Sequence, residues 1–240
     1  MQLQWYYFAS FLFIAFTLWI FKNKNQDQRF KFLMVLTAIN ALAYVINWVY
    51  FYIRSDHIFT LLPLQLCNLA VFLIPIALIT KKAVVMDFVF YVCGLAALVA
   101  ILVVGSDYQD TYSMMTLSFY VFHFSIFLIP MLNSVWGFHS LKPNRKSALD
   151  LTIMVLAISF SLHLFNLLLN NVFDIPANYF FTIKDLATPT NPAFALFASW
   201  IPYDYIYLSV AFPILYVYMY LIYLFMRFTS KFKSLSSIIK

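Results

Sequence analysis

The run AVVMDFVFYVCGLAALVAILVV occupies Ala83–Val104 and carries one charged side chain, Asp87. An apolar stretch of this length reads as a bilayer-crossing helix: about 20 residues at 1.5 Å each cover roughly 30 Å of hydrocarbon. Six further stretches read the same way: Trp5–Phe21, Phe32–Ile53, Leu62–Ile79, Met114–Leu132, Ser147–Phe173 and Tyr203–Met226. The first is short enough to lie at the membrane interface instead. It does not read as a signal peptide, because no basic stretch precedes it and Lys22-Asn23-Lys24 follows without a small-residue cleavage site.

Composition supports the same class. Of the 240 residues, 64% are hydrophobic and 10% charged, more apolar surface than a soluble domain can bury. The mean hydropathy is +0.86. The expected fold is all-α: one integral membrane domain over residues 1–240, a polytopic bundle of about seven transmembrane helices in the cell membrane. Three Gly against 28 Phe and 17 Tyr predict bulky helices without close-packed small-residue seams.

Lysine and arginine set the expected orientation. Lys22, Lys24, Arg29, Lys31, Lys81, Lys82, Lys142, Arg145, Lys146, Arg227, Lys231, Lys233 and Lys240 fall on one side of such a bundle. Arg54 and Lys184 fall on the other, with Asp56, Asp107, Asp110, Asp174 and Asp185. The N-terminus is therefore expected outside and the C-terminus inside. The net charge of +6 is largely this asymmetry and does not point to nucleic acid. There is no Gly-rich phosphate loop, basic–aromatic run or fixed-period repeat. The segment Asp174–Pro202 joins the last two spans on the outer side. Pro176, Pro189, Pro192 and Pro202 exclude one continuous helix, leaving a cap over the membrane domain or a plain loop.

The chemistry sits in few residues. Counted from the expected outer ends, Cys67 lies about 7 Å deep, His123 about 14 Å and His163 about 15 Å. Polar residues recur at helical spacing in three spans: Asn40, Tyr44 and Asn47; Thr116, Tyr120 and His123; His163, Asn166 and Asn170. Such stripes either line an outward-opening cavity or join helices by hydrogen bonds. A thiol beside an imidazole becomes a nucleophile when the imidazole takes its proton; without one it is a small hydrophobe. Cys93 reads as the latter. Its expected depth differs from that of Cys67 by about 9 Å, beyond the reach of a disulfide. His57 and His139 fall in loops and are expected in solvent. No CxxC or HExxH pattern suggests a metal site.

The run Leu62-Pro63-Leu64-Gln65-Leu66-Cys67-Asn68-Leu69 resembles the signature of the YwaF-like integral membrane family, related to the transmembrane protein 164 acyltransferases, which remodel phospholipids. His123 matches the family histidine of a following span. Asn178-Tyr179-Phe180-Phe181 followed by Lys184 is similar to its Asn-Tyr element, and Trp200-Ile201-Pro202-Tyr203 to the aromatic-proline start of its last span. The chain departs from bacterial relatives at Gln65, where they often carry His, and at Ala177, where they often carry Gly. The resemblance implies acyl transfer through a Cys67 thioester, with His123 as general base and Gln65 or Asn68 on the oxyanion. Tyr120, His163, Asn166, Asn178 and Tyr179 become candidate substrate contacts. Membrane lipids are the implied partners, with no cofactor and no obligate protein partner. A rival reading is an outward-facing binding or transport subunit, with Trp48, Tyr52, Tyr108 and Trp200 near the ligand or in an interfacial aromatic belt.

Overall fold

The computed structural model describes residues 4–55, 57–103, 113–141, 143–189 and 192–238. Asp56, Val104, Asp107, Asp110, Lys142 and Lys240, used above for span limits and orientation, and Tyr108, named for the ligand or the aromatic belt, lie outside the described residues. The described chain is helical and contains no strand. Its main elements are α1 (Gln4–Ile20), α2 (Gln26–Tyr52), α3 (Leu66–Thr80), α4 (Ala83–Leu102), α5 (Met114–Val135) and α6 (Arg145–Val172). Then come α7 (Lys184–Ala187), α8 (Pro192–Trp200) and α9 (Ala211–Ile238). Among the described residues five helices are long and apolar enough to cross a membrane: α2, α4, α5, α6 and the segment Ile206–Phe225. The Trp5–Ile20 part of α1 and all of α3 are apolar but shorter.

Local chemistry sets the helix starts. Asn25 with Gln28, and Asn144 with Ser147, form reciprocal capping boxes at α2 and α6. The Ser113 side chain accepts from the Thr116 N–H at the start of α5. The middle of α4, Phe88–Cys93, is π-helical. The short α3 ends in Lys81, held in the left-handed conformation at φ 54°, a capping position that usually goes to glycine.

Helix α5 is the hub. Of its most apolar 18 residues 72% are buried, against 17% in α6 and 11% in the last span. It packs along α2, and α4 and α3 close on it. Two asparagines of α2 join it by hydrogen bonds: Asn40 Nδ2 donates to the Phe122 carbonyl at 2.9 Å and Asn47 Nδ2 to Ser118 Oγ at 2.8 Å. Of the two roles open to the α2 stripe, these side chains take the interhelical one. Tyr44 packs its ring against Phe122.

Three expectations change in detail. The third helix starts at Leu66 rather than Leu62, because Leu61–Gln65 turns instead of continuing a helix. Cys67 is therefore in the first turn and not further down. The segment after α6 is no plain loop: it holds a tight turn at Tyr179–Phe181 and the helices α7 and α8. His139, expected in solvent, is paired with Asp87 at 2.7 Å, with the two side chains only 12% and 18% exposed. His57 is exposed, as expected. Cys67 and Cys93 are both free thiols.

Candidate active site at the start of the third helix

The backbone of residues 61–69 builds the site. Gln65 is the N-cap of α3, so Leu66, Cys67 and Asn68 are its first three helical residues. The first helix-closing bond runs from the Leu69 N–H to the Gln65 carbonyl. The N–H groups of Leu66, Cys67 and Asn68 thus have no carbonyl to reach within the helix. A helix N-terminus also carries partial positive charge, which favours an anion beside it. Cys67 is partly buried there. The Asn68 amide, beside it in sequence, has no hydrogen-bond partner among the described residues.

Gln65 is engaged. Its Nε2 donates to the Asn178 carbonyl and its Oε1 accepts from the Phe180 N–H, both at 2.9 Å. Two more amides grip the same loop in the same two-point manner. Asn166 Nδ2 donates to the Tyr179 carbonyl at 2.8 Å while its Oδ1 accepts from the Tyr179 N–H at 2.9 Å. Asn178 bonds the Ile183 carbonyl and N–H, both at 2.9 Å. Asn170 Nδ2 holds the Ala177 carbonyl at 2.7 Å. The phenol of Tyr179 donates to the Phe59 carbonyl and accepts from the Leu62 N–H. Burial holds that phenol above its ordinary pKa. The loop is held although Phe180 and Phe181 both adopt left-handed backbone, φ 56° and 55°.

The structure therefore brings Gln65, Asn166, Asn178 and Tyr179 into one polar layer over the start of α3. His163 joins its edge, with Nδ1 3.1 Å from Thr182 Oγ1 and its ring stacked on Tyr205 at 5.2 Å. Tyr120 does not join. It faces α1, stacked on Tyr6 at 4.3 Å and edge-on to Tyr7. Of the two amides weighed for the oxyanion, Gln65 holds the loop, whereas Asn68 stays without a partner among the described residues.

His123 is buried in α5 between the rings of Phe119 and Phe122. Its Nδ1 lies 2.9 Å from the Phe119 carbonyl. A carbonyl only accepts, so Nδ1 carries the proton and a neutral ring has its lone pair on Nε2. Helices α3 and α5 pack together, but no hydrogen bond joins Cys67 to His123 among the described residues.

Sequence reasoning missed the three-amide clamp. The signal was present as Asn166 and Asn170 one turn apart and Asn178 just beyond the helix, but nothing in the sequence said that their partner was the backbone of the following loop. Also missed was the Asp87–His139 pair, whose members lie 52 residues apart.

These features define a helical membrane protein with a thiol at a helix N-terminus beneath a pinned polar loop. The chain belongs to the TMEM164 family, whose family model matches residues 2–223. No curated protein and no solved structure matches it.

Proposed function

We propose that the chain is a membrane-embedded acyltransferase that moves acyl chains between phospholipids through a thioester on Cys67. The observation that carries this reading is the position of Cys67 in the first turn of α3. There, unpaired backbone N–H groups and the helix dipole are placed to stabilise the oxyanion that forms beside the sulfur. Family membership and the Nε2 lone pair of His123 add support.

In the first half-reaction His123 Nε2 takes the Cys67 proton and the thiolate attacks a lipid ester carbonyl. The tetrahedral oxyanion sits on the first-turn N–H groups and the Asn68 amide. It collapses to acyl-Cys67 as His123 gives its proton to the departing oxygen, so the lysolipid leaves as an alcohol and the imidazole is neutral again. In the second half the imidazole takes the proton of an acceptor lysolipid hydroxyl, whose oxygen attacks the thioester. The new ester departs and the sulfur regains its proton. The reading requires lipid binding to bring sulfur and imidazole into direct or one-water reach, since catalytic hydrogen bonds are often long before substrate arrives. Gln65, Asn166, Asn178, Tyr179 and His163 hold the loop against which the lipid lies; Tyr120 anchors α1.

The same reading takes α1 and α3 as short spans, giving seven crossings of the cell membrane with the N-terminus outside. The Cys67 end of α3 then faces the outer leaflet, where lipid ester carbonyls lie.

The test is acyl exchange between a labelled phospholipid and a lysolipid in reconstituted vesicles. Cys67→Ser and His123→Ala should each abolish it, and the double variant should be little worse than either, because residues acting as a unit are not additive. A hydroxylamine-sensitive acyl adduct should form on Cys67. Cys93→Ala is the control; alanine suits that fully buried position better than serine, which would bury an unpartnered hydroxyl. Full exchange by Cys67→Ser would return the chain to the binding or transport class.

A further inference from the structure

The end of α3 opposite Cys67 holds a second constellation. A small cavity of about 20 Å³, lined by Lys81, Asn133 and His139 with Phe30, Leu78 and Phe138, lies there. That volume admits one water-sized group. Asn133 is 3% exposed, and its side-chain amide has no hydrogen-bond partner among the described residues. As a lining residue of the cavity, it can meet a polar group placed there. His139 is fixed by Asp87, which accepts from its Nε2 at 2.7 Å, and its other ring nitrogen is unpartnered among the described residues. Lys81 reaches the cavity from a left-handed backbone, a conformation that lysine adopts only at a cost. The surrounding surface is cationic, with Arg29, Lys31, Lys82, Arg145 and Lys146 in the helix ends at this side of the bundle.

We propose that this cavity is a binding site for a phosphate group, with one phosphate oxygen seated on the Asn133 amide. Lys81 supplies the charge, and the His139 ring, whose Nε2–H is taken by Asp87, supplies a second donor from Nδ1 in its imidazolium form. An acceptor-only ligand matches a site whose donors are the Lys81 ammonium, the NH2 of the Asn133 amide and the His139 imidazolium. The apolar walls Phe30, Leu78 and Phe138 suit a phosphate carried by an anionic lipid at this membrane surface, and basic pockets between helices at such a surface take lipid headgroups. The site lies about 20 Å along α3 from Cys67, at the other end of the helix. It is therefore independent of the acyl-transfer reading.

The experiment is thermal unfolding of the purified full chain in detergent micelles, titrated with phosphatidylglycerol, phosphatidylcholine or inorganic phosphate. A saturable rise in midpoint with phosphatidylglycerol is expected, with apparent affinity about tenfold weaker in Lys81→Gln and in Asn133→Leu, the loss of one charge-assisted or buried hydrogen bond. Lys81 is exposed, so Lys81→Gln keeps the test valid if Asn133→Leu fails to fold. Lys31→Gln, which removes an exposed charge paired with Asp27, should titrate like the natural chain and so separate a site from a diffuse basic surface. Stabilisation by inorganic phosphate as well would identify the free anion as a sufficient ligand; stabilisation by phosphatidylglycerol alone would identify the lipid-borne group. The proposal is overturned if none of the three raises the midpoint, if phosphatidylcholine and phosphatidylglycerol act alike, or if Lys81→Gln titrates unchanged.

Discussion

Gln65 Nε2 donates to the carbonyl of Asn178 at 2.9 Å, across 113 residues of chain. Cys67 follows two residues later, so the loop after the sixth helix and the first turn of the third are fixed to one another. With Phe180 on the other amide atom, Gln65 uses both halves of a group that is donor and acceptor at once.

That dual use gives a prediction. Gln65→Met keeps the length and loses both bonds, at about 1–3 kcal/mol. Amide exchange over residues 177–183 should quicken and the rate of acyl transfer should fall. Gln65→His should retain much of both, because a neutral imidazole also offers one donor and one acceptor. Undiminished protection of the loop in Gln65→Met would remove the clamp from the account.

The contact between α2 and α5 can be weighed directly. A double-mutant cycle over Asn47→Ala and Ser118→Ala should give a coupling of about 0.6 kcal/mol, and not more than about 1.7, as for other interhelical hydrogen bonds in membranes. Reversible unfolding from mixed micelles measures it. A coupling of zero would mean that the Asn47–Ser118 bond, 2.8 Å long, adds nothing beyond packing.

Orientation is tested by labelling in intact cells, on a Cys67→Ser, Cys93→Ala background. Asp185→Cys should react with a membrane-impermeant maleimide from outside. Lys82→Cys should react only after the membrane is opened. The opposite pattern would invert the bundle and move the Cys67 end of α3 to the inner leaflet.

Much of the fold was legible because membrane helices obey a simple rule: an apolar run must be long enough, and its backbone must satisfy itself. The span read at 83–104 and the helix found at Ala83–Leu102 differ little for that reason. The run at Leu62–Ile79 misled by four residues at its start, since Leu61–Gln65 is apolar enough to pass for helix while its backbone turns. Hydropathy measures side chains and is blind to that turn.

Cys67 and His123 stood out by residue type alone, as rare chemistry in greasy helices. What the sequence by itself determined is therefore the class, a helical membrane protein, and the short set of candidate reactive groups. Only the tertiary structure decided what those groups do to one another. It put Cys67 at a helix N-terminus and turned the His123 proton toward Phe119. It spent the amides of Gln65, Asn166 and Asn178 on the backbone of the loop after α6, and it drew His139 out of solvent onto Asp87. The physical reason is that hydrogen bonding is directional and short-ranged. Spacing along one helix fixes which face a polar group occupies, but its partner comes from another segment, and only packing brings that segment within 3 Å.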